Sequence, residues 1–265
     1  MKTTLDANGI TINYKLDPQK HGDPDAQIVM LSNSLLSNHR MWDDQIDALT
    51  EIYTVLRYDT RGHGDTTAPT DPYSLDIFVE DVIALLDGLE IKKVHFVGLS
   101  MGGFLAQPLA VKYPERLISL SLCDTACQMP VSGIWDDRIA TAKNIGIDAL
   151  VEGNLERWFT EPFRKSGARK IEFIKDMIKS TSVQGFVNCV NAFKEMSQCH
   201  ILSDIKTPTL IIVGESDYSC PVSAAESLYA GITGSQLEII ANAAHLPNIE
   251  QKNKFNDILL DFLQK

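Results

Sequence analysis

Ser100 lies in a stretch whose residue types could support nucleophilic chemistry. Residues 94–103 read VHFVGLSMGG, a β-branched and aromatic run followed by glycines around a serine. This Gly-x-Ser-x-Gly pattern is typical of a nucleophile elbow, in which the serine occupies a tight turn between a strand and a helix. The helix would point backbone N–H groups at the group that the serine attacks. Because many unrelated glycine-rich turns match the same pattern, a catalytic serine also requires partners elsewhere in the chain.

Two later residues could supply those partners. A serine hydroxyl is a weak nucleophile that needs a base within hydrogen-bond reach and a further group that orients the base. Asp217 follows a predicted strand at residues 209–213, and His245 follows another at residues 237–240. The order Ser, Asp, His, with each residue at the carboxyl end of a strand, predicts Ser100 as nucleophile, Asp217 as orienting acid and His245 as base.

Other residues leave the choice of acid open. Asp124, at the end of the preceding strand, and Glu215 are alternative acids, and an aspartate in such a loop is often a turn former or a helix cap. The remaining histidines lack an equivalent position after a strand: His21, His39, His63, His95 and His200. None of them has the spacing of metal ligands.

The oxyanion that forms during acyl transfer needs preorganised donors. One is expected to be the backbone N–H of Met101, directly after the nucleophile. The other is expected from the loop after the third strand, where Leu35 follows Asn33-Ser34.

The elements that would position these residues alternate between strand and helix. Asn8-Gly9 predicts a hairpin turn between two short strands in residues 3–16. Further strands are predicted at residues 27–32, 53–58, 94 to the elbow, 117–123, 209–213 and 237–240, and helices at 42–50, 75–89, 101–112, 224–230 and 253–264. The alternation indicates an α/β fold with a mostly parallel sheet. Pro108, inside one predicted helix, is expected to kink it.

Residues 125–200 interrupt the alternation and predict several helices without a strand. We therefore expect an α/β core at 1–124 and 201–265 with a helical insertion at 125–200. The insertion has 10 Lys and Arg against 9 Asp and Glu, net +1, whereas the remainder of the chain is net −12. An anionic ligand would meet less repulsion on the side of the insertion.

Composition narrows the class of protein. The formal charge of −11 and the lack of a basic stripe argue against a nucleic-acid partner. No stretch has the length and apolar content of a membrane span, and the N-terminal residues lack the apolar core of a signal peptide. The five cysteines contain no C-x-x-C pair. We interpret them as reduced thiols of a cytoplasmic protein.

Several stretches, taken together, resemble the serine α/β-hydrolases and, within them, the 3-oxoadipate enol-lactonases of bacterial aromatic catabolism. They are SNSL (32–35), HRMWD (39–43), RYDTRGHG (57–64), GLSMGG (98–103), AHL (244–246), NIEQ (248–251), WDDR (135–138) and LERWFT (155–160). The last two are more specific than the others, because they lie in the insertion that shapes the pocket in that family. Leu36, Asp124 and Pro108 depart from the family pattern, which often has glycine at the first position and asparagine at the second.

The resemblance implies an eight-stranded, mostly parallel sheet with helices on both faces and an inserted helical cap. It also implies a small unsaturated lactone with an acetate arm as substrate, hydrolysed through an acyl-enzyme without cofactor or metal. The substrate carboxylate would need a cation, and the candidates in the cap are Arg138, Arg157 and Arg164. Trp135 would line the pocket.

Alternative functions on the same scaffold are an ester hydrolase, a carbon–carbon bond hydrolase and a cofactor-free perhydrolase. An alternative of another class is a non-catalytic sensor of a small ligand that keeps the fold and the pocket. Serine at the elbow argues against dehalogenases and epoxide hydrolases, which resemble each other in using aspartate there.

Overall fold

The computed structural model describes residues 3–129 and 133–265. Residues 1–2 and 130–132, which belong to the predicted core and the predicted insertion, lie outside the described residues.

The described chain forms one sheet that contains all eight of its strands. In chain order they are β1 (Thr3–Ala7), β2 (Ile10–Asp17), β3 (Ile28–Ser32), β4 (Thr54–Tyr58), β5 (Val94–Leu99), β6 (Leu117–Cys123), β7 (Thr209–Gly214) and β8 (Gln236–Ile240). Across the sheet the order is β1-β2-β4-β3-β5-β6-β7-β8. β2 is antiparallel to β1 and to β4, and the other pairs are parallel. The predicted α/β fold is confirmed, including the Asn8-Gly9 turn, whose two residues have φ of 48° and 74°.

Helices cover both faces of this sheet. Those of the core are α1 (Asp43–Leu49), α2 (Leu75–Gly88), α3 (Met101–Lys112), α9 (Val222–Gly231), α10 (Pro247–Glu250) and α11 (Lys252–Leu263). The step from β3 to β4 runs in the opposite direction to the steps from β4 through β5 to β6. Right-handed crossovers therefore place α1 on one face and α2 and α3 on the other. α1 packs against α11, and α2 packs against α3.

Between β6 and β7 the described residues contain helices and no named strand. We call residues 133–200 the inserted segment. Its α-helices are α4 (Ile134–Asn144), α5 (Val151–Trp158), α6 (Glu161–Ser166), α7 (Ala168–Lys179) and α8 (Val183–Phe193). The chain enters and leaves the insertion side by side, because Gln128 forms an antiparallel bridge with Ser197.

The parallel register brings the carboxyl ends of β5, β6 and β7 to the same end of the sheet. Leu99 pairs with Cys123, and Cys123 pairs with Ile212 on the next strand. The residues that follow these strands include Ser100 and Asp124. The polar side chains singled out in the sequence are therefore gathered where the strands end, as expected for ligand sites in parallel sheets.

Pro108 does not end α3. A proline lacks the N–H that would bond the carbonyl four residues earlier, which here belongs to Phe104. The side chain of Gln198 donates to that carbonyl oxygen at 3.0 Å. The helix is continuous from Met101 to Lys112, and Gln198, near the end of the inserted segment, supplies the donor that Pro108 lacks.

The interpretation of all five cysteines as reduced thiols is wrong for two of them. Cys127 and Cys199 form a disulfide with a Cα–Cα distance of 4.9 Å. The bond joins the chain just before the helices of the insertion to the chain just after them. The two cysteines are 72 positions apart, so the sequence does not show that they are close. Cys123, Cys189 and Cys220 are free and buried. The cytoplasmic location, which depended partly on reduced cysteines, stays a prediction. No helix among the described residues is long and apolar enough to cross a membrane.

Candidate active site

Ser100 occupies a strained turn between β5 and α3. Its backbone has φ of 54° and ψ of −112°, a region that non-glycine residues rarely adopt. Glycines make the turn possible, because a Cβ on Gly98 would collide with the carbonyl of Gly102, and one on Gly102 would lie 2.5 Å from the carbonyl oxygen of Ser32. The turn is held by the Ser100 N–H, which donates to the carbonyl of Cys123 at 2.9 Å. This strand, turn and helix are the context that the sequence pattern required.

His245 and Asp217 meet through a buried hydrogen bond. The Nδ1 of His245 lies 2.8 Å from Oδ2 of Asp217. The other oxygen of Asp217 accepts from the backbone N–H groups of Ser219 at 2.7 Å and Cys220 at 3.1 Å. These donors stabilise the ionised carboxylate, which can hold the imidazole in one tautomer and orientation.

Asp124 lies near this pair but does not bind His245. Its Oδ1 accepts from the backbone N–H of Gly214 at 2.8 Å, and its Oδ2 has no partner among the described residues. Burial, followed by the neighbouring Asp217 carboxylate, raises the pKa of the Asp124 carboxyl well above its usual range. Glu215, the other alternative acid, accepts instead from the N–H of Asn242 at 3.3 Å.

Ser100 and His245 line the same small cavity, which has a volume of about 40 Å³. The residues around it come from the elbow, the loop after β3, the loops after β7 and β8, and the inserted segment. They are Ser34, Leu35, Ser100, Phe104, Met129, Trp135, Arg138, Asn154, Arg157, Trp158, Phe193, Ser219, Cys220 and His245. The walls combine aromatic side chains with two arginines, and no acidic side chain is among these lining residues.

The two expected oxyanion donors are free within the described chain. The N–H groups beside them are engaged: that of Leu36 donates to Nε2 of His63 at 3.0 Å, and that of Gly102 donates to the carbonyl of Asn33 at 3.0 Å. The N–H groups of Leu35 and Met101 have no acceptor among the described residues. They are available for an oxyanion at the serine.

His63, which sequence reasoning set aside, holds the loop that carries Leu35. Burial lowers the pKa of His63 to about 4, so its imidazole is neutral and its Nε2 can accept the Leu36 N–H. Leu36 has φ of 62°, the left-handed region in which glycine is common. Its side chain is fully buried, and the backbone still adopts the turn. No local pattern around His63 indicated this contact, because the two residues are 27 positions apart.

Arg138 lies in the cavity wall and has no acidic partner in the part of the chain that the structure describes. Its Nη2 donates to Oδ1 of Asn154 at 2.8 Å, and its guanidinium lies 4.7 Å from the centre of the Trp135 ring. Burial, and to a smaller extent Arg157, lowers the pKa of Arg138 to about 9. Neither arginine forms an ion pair with a residue that the structure describes. A group that stays cationic at pH 7 with no counter-ion is suited to bind a ligand carboxylate.

The structure separates the third arginine candidate from this wall. Arg164 is not among the residues that line the cavity, and its Nη1 lies 3.9 Å from Glu156. Sequence reasoning missed Asn154, which orients Arg138, and named Trp158 only as part of the LERWFT stretch. Both lie on α5 four residues apart, so one helical turn presents them together.

Asp217, Cys220 and His245 offer ligand atoms within 4.8 Å of one another, the spacing of a small metal site. The donor set does not fit a resident metal well. Both oxygens of Asp217 already accept hydrogen bonds, and burial raises the pKa of the Cys220 thiol well above its usual range. Because a metal would need the thiolate, these contacts suit a proton-transfer pair better than a metal centre.

Comparison with known proteins agrees with this arrangement. The family model described as α/β hydrolase fold matches residues 27–175. The 3-oxoadipate enol-lactonase 2 of Acinetobacter baylyi is 34% identical over 255 residues, which cover 96% of this chain and 94% of that protein. The 3-oxoadipate enol-lactonase 1 of the same organism is 33% identical, covering 94% and 93%. The crystal structure of the enol-lactonase from Burkholderia xenovorans LB400 superposes with a TM-score of 0.95 at 33% identity and covers 99% of this chain and 100% of that one. The chain belongs to the α/β-hydrolase family and, like these relatives, is a lactone or ester hydrolase.

Proposed function

We propose that the protein hydrolyses a small enol-lactone that carries a free carboxylate, of the 3-oxoadipate enol-lactone type, through an acyl-enzyme on Ser100. The observation that carries the proposal is the cavity itself. Its lining includes a serine on a strand-to-helix turn, a histidine bonded to a buried aspartate, and two arginines that have no acidic partner among the described residues. The names of the relatives that align over nearly the whole chain support the same substrate class.

The reaction begins when Oγ of Ser100 attacks the lactone carbonyl carbon and His245 takes the hydroxyl proton at Nε2. Asp217 stabilises the imidazolium through the Nδ1 hydrogen bond, and the N–H groups of Leu35 and Met101 stabilise the oxyanion. Collapse of the tetrahedral intermediate breaks the ring carbon–oxygen bond. The leaving enol oxygen receives the proton from His245, and the released enol can tautomerise to a ketone.

Water completes the cycle at the same site. His245 removes a proton from a water molecule, the hydroxide attacks the acyl carbon, and the second tetrahedral intermediate expels Ser100, which regains its proton from His245. The product is a dicarboxylate, since ring opening creates one carboxylate and the substrate already has another. The steps need only proton transfers and bound water, and we propose no cofactor.

The substrate carboxylate is held by Arg138, and Arg157 adds to the positive potential of the wall. Asn154 fixes the guanidinium of Arg138 from one side, and Trp135 stacks on it. The inserted segment acts as the cap that closes the substrate against the elbow. The near-neutral charge of this segment, in a chain that is net −11, makes it the less repulsive side for an anion.

The test follows the loss of the enol-lactone chromophore, with neutral aryl esters as a second substrate class and Ser100→Ala as the control. The proposal predicts lactone turnover at a higher kcat/KM than aryl ester turnover, and both activities absent in Ser100→Ala. Turnover of esters without turnover of the lactone would refute the lactonase assignment and favour a general carboxylesterase. Binding of the lactone without turnover that depends on Ser100 would favour the sensor.

A further inference from the structure

Both backbone neighbours of His245 donate hydrogen bonds, one to the side chain of Glu250 on α10 and the other to the inserted segment. The N–H of Ala244 donates to Oε2 of Glu250 at 2.9 Å, and the N–H of Leu246 donates to the carbonyl oxygen of Trp158 at 3.2 Å. His245 is thus held between two peptide groups whose acceptors do not belong to the sheet.

Glu250 joins the loop that carries His245 to the end of α5. Its Oε1 accepts from the backbone N–H of Thr160 at 3.0 Å, and the Thr160 hydroxyl donates to the same oxygen. A carboxylate can accept at both oxygens at once, so one side chain serves Thr160 and Ala244 together. Glu250 forms no ion pair with any residue in the described ranges, and these N–H and O–H groups are the donors that stabilise its charge.

Trp158 links the loop of His245 to the wall of the substrate cavity. Its side chain lines the cavity, whereas its carbonyl accepts the Leu246 N–H. A shift of α5 would therefore move a cavity wall and both peptide groups beside His245 at the same time.

We propose that Glu250 is a positioning residue that fixes the imidazole of His245 relative to the inserted segment. His245 is positioned to take the proton of Ser100 only while Thr160 binds Glu250 and the Trp158 carbonyl accepts from the Leu246 N–H. This inference rests on the proposed function, because it assumes that His245 is the base.

Two variants weaken the connection from opposite sides. Glu250→Gln keeps the length of the side chain but replaces one acceptor oxygen by an NH2 group, so one of its two partners loses its acceptor. We expect kcat for a neutral aryl ester, and the rate of Ser100 labelling by a small neutral phosphonate, to fall about tenfold, with KM within about twofold. Thr160→Val removes only the hydroxyl, and we expect a fall of about threefold in both rates.

The double variant and a matched control show whether the two residues act as a unit. Glu250→Gln with Thr160→Val is expected to lose less than the product of the two single effects, because both substitutions weaken the same connection. Glu161→Gln removes a charge from the exposed neighbour of Thr160, which pairs with Lys165, and is expected to react like the wild type. Thermal unfolding followed by circular dichroism confirms that each variant is folded. Unchanged melting with a slower labelling rate is a result that a purely structural role would not produce.

The outcomes separate this inference from the proposed function. Wild-type protein that the phosphonate does not label at Ser100, as located by mass spectrometry, would overturn the proposed function and this inference with it. Labelled wild type with variants that react equally fast, or with additive effects in the double variant, would overturn the inference alone. If Glu250→Gln does not fold, the rates of Thr160→Val decide, since wild-type rates in that variant would also overturn it.

Discussion

Reduction of the bond between Cys127 and Cys199 should destabilise the folded chain without removing a side chain. The bond closes a loop across 72 positions, which the chain-entropy treatment converts to about 4 kcal/mol of unfolding free energy at 25 °C. For a domain of this size, that loss corresponds to a fall in Tm of roughly 10 °C. The backbone hydrogen bonds beside the disulfide, including the one from the Gln198 N–H to the Cys127 carbonyl at 2.7 Å, do not depend on the S–S bond. The expected effect is therefore lower stability of a chain that still folds.

The assay compares oxidised and reduced wild-type protein by urea unfolding, with the double variant Cys127→Ala and Cys199→Ala as the matched control. Because this variant has no bond to lose, reductant should leave its unfolding curve unchanged. A thiol count on the unfolded, oxidised wild type should find the three free cysteines, and the count should rise to five after reduction. Five reactive thiols before reduction, or equal stability of both wild-type forms, would refute the reasoning.

Three further predictions concern the acids, the arginine and the buried histidines. Asp217→Asn should lower kcat by about 10⁴-fold, as loss of the orienting carboxylate does in serine triads. Asp124→Asn, which keeps the shape of a side chain that does not bind His245, should change kcat less than about threefold; the reverse result would make Asp124 the orienting acid. Arg138→Met should raise KM for the carboxylate-bearing lactone about 10- to 100-fold and leave KM for a neutral aryl ester unchanged, and equal effects on both substrates would contradict a carboxylate site. Burial lowers the pKa values of His63 and His95 to about 4 from 6.5, so the unfolded chain binds more protons between these values. The unfolding free energy, measured by urea titration at each pH, should therefore fall as pH decreases from about 6.5 toward 4. His95→Gln should reduce the slope of unfolding free energy against pH by the equivalent of about one bound proton. A flat profile would contradict neutral buried imidazoles.

Most of the secondary structure could be predicted from the sequence, because the residue patterns that determine it extend over only a few positions. The alternation of apolar runs and turn residues predicted the strands within one or two residues of their observed ends, and Asn8-Gly9 predicted the first hairpin. The α/β alternation then restricted the topology, since right-handed crossovers leave few arrangements of a parallel sheet. The same alternation, interrupted after residue 124, indicated where the helical segment is inserted.

The main residues of the candidate site could also be predicted from local sequence patterns. The sequence predicted the catalytic candidates Ser100, Asp217 and His245 because each follows a predicted strand. The carboxyl ends of parallel strands lie at the same end of the sheet. The sequence favoured Asp217 and kept Asp124 as an alternative, because both follow such strands. Only the geometry shows that the His245 Nδ1 binds Asp217, and that Asp124 is the buried carboxyl with an unpartnered oxygen. Their catalytic roles stay predictions for the variants above.

The sequence by itself determined the order of strands and helices, the serine turn and the residue types available at the strand ends. The tertiary structure decided which distant side chains meet: Cys127 with Cys199, Gln198 with the carbonyl that Pro108 leaves free, and Glu250 with both Thr160 and Ala244. The reason is physical. Backbone propensity and apolar periodicity act over a few residues, whereas these contacts depend on how the inserted segment packs on the sheet, and many positions in a helical segment have equivalent local sequence signals.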